Sequence, residues 1–79
     1  MSSETSEIDR IVDIIKRVGE LDDLAPGQDF YRAGVDSMKA MDVMLDLETE
    51  FGVAVPDDKF VKARTPEALL ALVHELQSA

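Results

Sequence analysis

The sequence contains no cysteine, only one histidine, and fewer than half as many basic as acidic residues. Without cysteine, the chain can form no disulfide, no thiolate metal site and no cysteine nucleophile. With 8 Lys and Arg against 17 Asp and Glu, its net charge is -9. This charge argues against binding to nucleic acid or to anionic membrane surfaces, and it favours protein partners with basic surfaces.

The sequence also lacks long apolar runs. The N-terminal residues are polar and acidic, unlike a secretory signal, and no apolar stretch reaches the length of a membrane span. A chain of 79 residues that is 46% hydrophobic has room for one small folded domain. We therefore expect a flexible tail at residues 1–5, a single domain at residues 6–79, and a cytoplasmic, monomeric protein that does not insert into membranes.

Apolar residues recur at helical spacing in three long segments. A first helix is predicted at about residues 6–18, ended by Gly19, and a second at about residues 37–51, ended by Gly52. A last helix should begin with Thr65 as N-cap and Pro66 in the first position, and it should end near Gln77. A short third helix is predicted at residues 56–61. No strand pattern is present, and the sequence predicts an all-α fold, a small four-helix bundle of three longer helices and one short one.

A long connection at about residues 19–36 joins the first two helices. Connections of this length are uncommon in compact domains and are often functional. Phe30 is expected to anchor the loop in the core, with a short helical turn near residues 29–32.

The helix at residues 37–51 carries more apolar surface than a core requires. At about 100° per residue, one stripe, here called the core face, is sufficient to pack against neighbouring helices: Ala40, Val43, Met44, Leu47 and Phe51. A second apolar cluster lies roughly 130° away by the same geometry. Together with the two acidic residues that flank it, we call this cluster the display face: Met38, Met41, Asp42, Leu45 and Glu48.

An apolar strip bordered by acids suits a transient partner with a basic rim, and methionine adapts to several partners. The distribution of charge also favours a partner surface on this helix, because residues 36–58 contain seven acids and one base. This segment therefore carries -6 of the net charge of -9. The alternative is that the bundle buries both apolar stripes.

The chain offers little for catalysis. His74 is far in sequence from Ser37, it is expected at the surface, and no Gly-x-Ser-x-Gly motif is present. The paired aspartates do not match the spacing of a calcium loop. We therefore predict no catalytic residues and no metal site. A small hydrolase that uses Ser37 remains the weakest alternative.

The residues around Ser37 are Gly34-Val35-Asp36-Ser37-Met38. This stretch resembles the Asp-Ser-Leu/Met attachment motif of acyl carrier proteins and related carrier domains. The likeness continues through Glu48-Thr49-Glu50-Phe51-Gly52-Val53 to Val55-Pro56-Asp57, and the order of predicted helices extends it over nearly the whole chain.

The resemblance implies an acyl-carrier-protein-like fold and a non-catalytic function. A phosphopantetheinyl transferase would attach 4′-phosphopantetheine from coenzyme A to Ser37, with Asp36 serving in recognition by the transferase. The arm would hold acyl or aminoacyl groups as thioesters and carry them between enzymes of fatty acid, polyketide, nonribosomal peptide or specialised lipid biosynthesis. The display face matches the positions by which such carriers bind basic patches on their partner enzymes.

Four residues depart from the pattern of carriers in fatty acid synthesis, namely Lys39, Thr49, Phe60 and Val61. They favour a specialised carrier without identifying its pathway. The alternative to a carrier is a small acidic helical adaptor, which would bind a basic partner through Met38, Met41 and Leu45 without a prosthetic group.

Overall fold

The computed structural model describes residues 6–78, and within this range the chain is helical with no strand. The helices are α1 (Glu7–Gly19), α2 (Phe30–Ala33), α3 (Ser37–Phe51), α4 (Asp57–Phe60) and α5 (Pro66–Ser78). The all-α prediction of three longer helices and a short one is confirmed. The expected helical turn near residues 29–32 forms α2, a fifth helix of a single turn. The predicted N-terminal tail and the last residue of the predicted domain lie outside the described residues.

The helix starts follow the capping residues in the sequence. Ser6 accepts a hydrogen bond from the backbone N–H of Asp9 at the start of α1. Thr65 accepts one from Ala68 at 3.1 Å, and Pro66 is the first residue of α5, as predicted.

α1 ends one residue later than predicted. Gly19 is the last residue of the helix, but the left-handed residue that caps it is Glu20, with φ 56°. Gly19 is needed for close packing instead, because a Cβ built there would lie 2.8 Å from Cγ2 of Val35. The glycine thus lets the loop that leads to Ser37 approach α1.

The core lies between the three longer helices. α1 packs against α3 and α5, and α4 packs against α5. Phe30 is fully buried, so its predicted role as a core anchor is confirmed. The largest fully buried apolar side chains come from all three long helices and the loop: Ile11, Ile15, Phe30, Leu47 and Leu69.

Two ion pairs join α1 to α3. Arg10 pairs with Glu50 at 2.6 Å, and its guanidinium also lies 4.7 Å from the ring centroid of Phe51. Arg17 pairs with Asp46 at 3.2 Å. These contacts neutralise two of the acids of α3. None of the helices within residues 6–78 has the length and apolar character needed to cross a membrane.

Candidate functional site at the start of α3

Ser37 is the first residue of α3, and its side chain is exposed. The N-cap is Asp36, whose Oδ1 accepts a hydrogen bond from the backbone N–H of Lys39 at 2.9 Å. Because Asp36 caps the helix, the Ser37 hydroxyl is not needed for that purpose. Among residues 6–78 it takes part in no hydrogen bond to another side chain or to the backbone. The serine is therefore presented to solvent as a free hydroxyl on a rigid helix end.

The loop before Ser37 is held in place by α2 and one buried side chain. Asp29 caps α2 by accepting hydrogen bonds from Tyr31 and Arg32. Gly34 then adopts φ 127°, a conformation that favours glycine. The next residue, Val35, is almost fully buried, and its N–H donates to the carbonyl of Phe30 at 3.1 Å. These contacts fix the backbone two residues before the serine.

A groove of about 520 Å³ opens beside Ser37, between α3 and the segment around α4. Its wall is mostly apolar: Ala40, Met41, Met44, Phe60 and Val61. Four further residues give the groove polar groups: Tyr31, Ser37, Asp57 and Arg64. A chain attached at Ser37 would therefore have an apolar surface directly beside it.

The two faces of α3 differ in burial as the sequence predicted. On the core face, Ala40, Val43 and Leu47 are buried, and the other two members are half-buried. On the display face the exposed fraction is 79% for Met38, 60% for Met41 and 53% for Leu45. The alternative that the bundle buries both stripes is therefore wrong.

Glu48 differs from the rest of the display face. It is half-buried, and its Oε2 accepts a hydrogen bond from the backbone N–H of Val55 at 2.8 Å. Its role in partner binding stays a prediction, but one of its carboxylate oxygens already holds the segment after α3. Asp42 is exposed and forms no ion pair with any residue in the described part of the chain.

Sequence reasoning missed Arg64, a polar residue that lines the groove together with Ser37. Arg64 lies just before the cap of α5 and pairs with Asp29 through Nε at 2.8 Å. Its guanidinium also lies 4.6 Å from the ring centroid of Tyr31. No local pattern in the sequence marks this contact, because it joins residues that are 35 positions apart.

The contacts around Arg64 and the burial of Tyr31 shift the pKa values of Asp29 and Tyr31. The hydrogen bond from Arg64 holds the pKa of Asp29 below its ordinary value, so that the carboxylate remains charged. Burial raises the pKa of Tyr31, so the phenol keeps its proton.

The structure does not bring a catalytic histidine to Ser37. His74 is exposed, as predicted, and its Nε2 lies 2.7 Å from Oε1 of Glu7 on α1. It is absent from the residues that line the groove. Within residues 6–78 no three acidic or histidine side chains come together as a metal site would require.

Comparison with known proteins points to the same serine and the same helical domain. The family model described as a phosphopantetheine attachment site matches residues 9–73, which include Ser37 and most of the bundle. The chain is 24% identical over 78 residues to acyl carrier protein 2, chloroplastic, of Arabidopsis thaliana, covering 95% of this chain and 57% of that protein. It is 26% identical over 81 aligned positions to the chloroplastic acyl carrier protein of Brassica napus, covering 99% of this chain and 60% of the relative.

A bacterial relative aligns over a shorter region. The acyl carrier protein of Rickettsia bellii (strain OSU 85-389) is 36% identical over 45 residues, which is 57% of this chain and 56% of that protein. The chain thus spans somewhat more than half the length of these curated relatives. The family match covers far more than half of the chain, and the chain belongs to the acyl carrier protein family, whose prosthetic group is 4′-phosphopantetheine.

Proposed function

We propose that this chain is a carrier that holds acyl or aminoacyl groups on 4′-phosphopantetheine attached to Ser37. The supporting observation is that Asp36, and not Ser37, caps α3, so that the exposed Ser37 hydroxyl is left free. A serine that served as the cap would have its oxygen engaged by the helix backbone. The arm, once bound, supplies the thiol that carries cargo as a thioester, which the cysteine-free chain cannot supply itself.

The attachment reaction requires a phosphopantetheinyl transferase and coenzyme A. The Ser37 oxygen bonds to the phosphorus that carries the pantetheine, the adenosine bisphosphate part of coenzyme A leaves, and the hydroxyl proton passes to a base of the transferase. The chain contributes the nucleophilic oxygen and its fixed position. It performs no catalysis of its own in this proposal.

The groove beside Ser37 fits a role in sheltering the cargo. Its volume of about 520 Å³ lies within the range of small-molecule sites, and its wall is mostly apolar. An acyl chain that left solvent for this groove would gain the usual free energy of burying apolar surface.

Partner enzymes are proposed to bind the exposed part of the display face, Met38, Met41, Asp42 and Leu45. Asp46 and Glu50 are paired with arginines of α1, whereas Asp42 has no ion-pair partner within residues 6–78 and belongs to the display face. A partner with a basic rim around an apolar patch would complement this surface. The partners would be the transferase and the loading and transferring enzymes of fatty acid, polyketide, nonribosomal peptide or specialised lipid biosynthesis. The compartment stays a prediction: the sequence favours the cytoplasm, whereas two relatives are named as chloroplastic.

Intact mass measures the attachment directly. After incubation with coenzyme A, magnesium and a broad-specificity transferase, we expect the wild type to gain the mass of one arm. The Ser37→Ala variant should gain nothing, while Ser78→Ala, a matched change at an exposed helical serine, should be modified like the wild type. An unmodified wild type would contradict the carrier function and favour the alternative of an adaptor that binds through Met38, Met41 and Leu45.

Charge reversal tests the partner surface. Asp42→Lys should slow modification by the transferase and leave the helical circular dichroism signal unchanged. Asp13→Lys makes the same change in charge beside Arg10 and Arg17, on the α1 side of α3, and it should slow modification much less. Equal rates for the two variants would show that net charge alone, and not the display face, sets the rate.

A further inference from the structure

We propose that Arg64 makes the groove beside Ser37 prefer acyl cargo with a neutral oxygen acceptor, such as a ketone or hydroxyl, over a fully saturated chain. This inference rests on the proposed attachment at Ser37. It concerns which cargo the groove retains, and it therefore goes beyond the carrier function itself.

Arg64 gives an otherwise apolar groove a fixed set of hydrogen-bond donors. A guanidinium carries five N–H groups, and Arg64 uses the one on Nε for Asp29 at 2.8 Å. Within residues 6–78 no other side-chain or backbone acceptor is bonded to this guanidinium. The side chain is 50% exposed, so a saturated chain leaves these donors bonded to water. A cargo oxygen that accepts from them replaces water with a bond to a positioned donor.

Two contacts hold the guanidinium in position. The ring of Tyr31 lies beneath it, with 4.6 Å from Cζ of Arg64 to the ring centroid. Asp29 is itself fixed by its hydrogen bonds to the first turn of α2. The backbone of Arg64 is held as well, because its carbonyl accepts a hydrogen bond from the N–H of Phe30 at 3.0 Å. An arginine held in this way loses less conformational entropy on binding than a free surface arginine does.

The charges around the groove favour a neutral acceptor over an ionised group. Asp29 already balances the positive charge of Arg64, and Asp57 adds a negative charge to the lining. An anionic group on the cargo would meet Asp57 in a chain whose net charge is -9. An ammonium group carries only donors and cannot accept a hydrogen bond from Arg64. A ketone or hydroxyl accepts a hydrogen bond from Arg64 without either penalty.

The test compares saturated and oxygenated cargo on the full chain. A transferase attaches hydrolysis-stable amide analogues of the acyl arm, one octanoyl and three oxo-octanoyl, with the ketone near the amide, at mid-chain or near the end. Intact mass establishes complete loading, and the thermal midpoint of each loaded protein is then measured. Changes in backbone amide chemical shifts identify the residues that contact the cargo.

We expect at least one ketone position to raise the midpoint above that of the octanoyl protein. The rise should be about 4–8 °C, the shift that one additional hydrogen bond of ordinary strength produces in a small domain. The difference should vanish in Arg64→Met, which keeps an unbranched side chain as far as the position of Nε but removes the guanidinium and its donors. It should persist in Arg17→Met, a change of the same kind at an arginine that pairs with Asp46 on α3.

Two results would overturn the inference. The first is equal midpoints for saturated and oxygenated cargo in the fully loaded wild type. The second is a difference between the two kinds of cargo that survives in Arg64→Met. A fall in the midpoint of Arg64→Met that is the same for every cargo leaves that difference in place and counts as the second result. Absence of any mass gain would be a failure of the attachment at Ser37, and the mass measurement distinguishes that failure from the other two.

Discussion

The carboxylate of Glu48 accepts a hydrogen bond from the backbone N–H of Val55 at 2.8 Å, across seven positions of sequence. The carbonyl of Glu48 also accepts hydrogen bonds from Gly52 and Val53 where α3 ends. One residue thus satisfies three backbone donors in the turn and the extended segment that follow the helix. The acid that periodicity assigns to the display face is part of the structure that connects α3 to α4.

Replacing Glu48 by alanine should lower the free energy of unfolding by about 1–2 kcal/mol, because the N–H of the buried residue Val55 loses its acceptor. Glu48→Gln should cost less, since the amide oxygen can accept the same bond. Asp42→Ala, at an exposed acid on the same helix, should change stability by no more than about 0.5 kcal/mol. Urea unfolding followed by circular dichroism measures all three variants, and equal midpoints for Glu48→Ala and Asp42→Ala would rule out the structural role.

The helices were predictable from the sequence because their signals are local. The bounds of α3 are those that the apolar periodicity and Gly52 predict, and Thr65 and Pro66 begin α5 as expected. The exposed strip on α3 was also predictable, since it lies about 130° from the core face and is flanked by acids, a pattern typical of a partner surface.

The roles of Glu48, Gly19 and Arg64 could not be read from the sequence. Each depends on a contact with a residue that the fold brings close: Val55, Val35 and Asp29 respectively. Helical periodicity assigns a residue to a face of its own helix, but it carries no information about a loop that returns to that face.

Gly19→Ala should destabilise the protein although alanine is the better helix former. The gain in helix propensity is about 1 kcal/mol, but the new Cβ would lie 2.8 Å from Cγ2 of the buried Val35. Overpacking of this kind costs about 1–3 kcal/mol, and the net change should therefore be a loss of stability.

A double-mutant cycle isolates this contact. Combining Gly19→Ala with Val35→Ala should restore part of the loss, so that the double variant is more stable than the sum of the single changes predicts. Gly27→Ala is the control, because its nearest neighbour, Oε1 of Glu67, would lie at 3.6 Å. Strict additivity in the cycle would show that α1 and the loop do not press together at Val35.

The ion pair between Asp29 and Arg64 should contribute to stability only where Asp29 is ionised. Arg64 holds the pKa of Asp29 below its ordinary value of 3.8 in the folded protein. A carboxyl group with a lowered pKa stabilises the fold above the ordinary pKa, and the contribution disappears as the pH falls through the folded-state value. The difference in thermal midpoint between the wild type and Arg64→Met should therefore be constant near neutral pH and shrink below pH 3.8. A difference that is unchanged at acid pH would mean that stacking on Tyr31, and not the ion pair, is what Arg64 contributes.

Asp36 is expected to have two separable functions, as the cap of α3 and as a charge beside Ser37. Asp36→Ala removes the acceptor for the N–H of Lys39 and should cost about 1 kcal/mol of stability. Asp36→Asn keeps a capping oxygen and should leave stability nearly unchanged. If the negative charge of Asp36 serves recognition by the transferase, both variants should be modified more slowly than the wild type, although only the alanine variant is less stable. Initial rates of mass gain, measured at a temperature where both variants are folded, test whether the transferase recognises this charge. A wild-type rate for Asp36→Asn would show that Asp36 serves only as a helix cap.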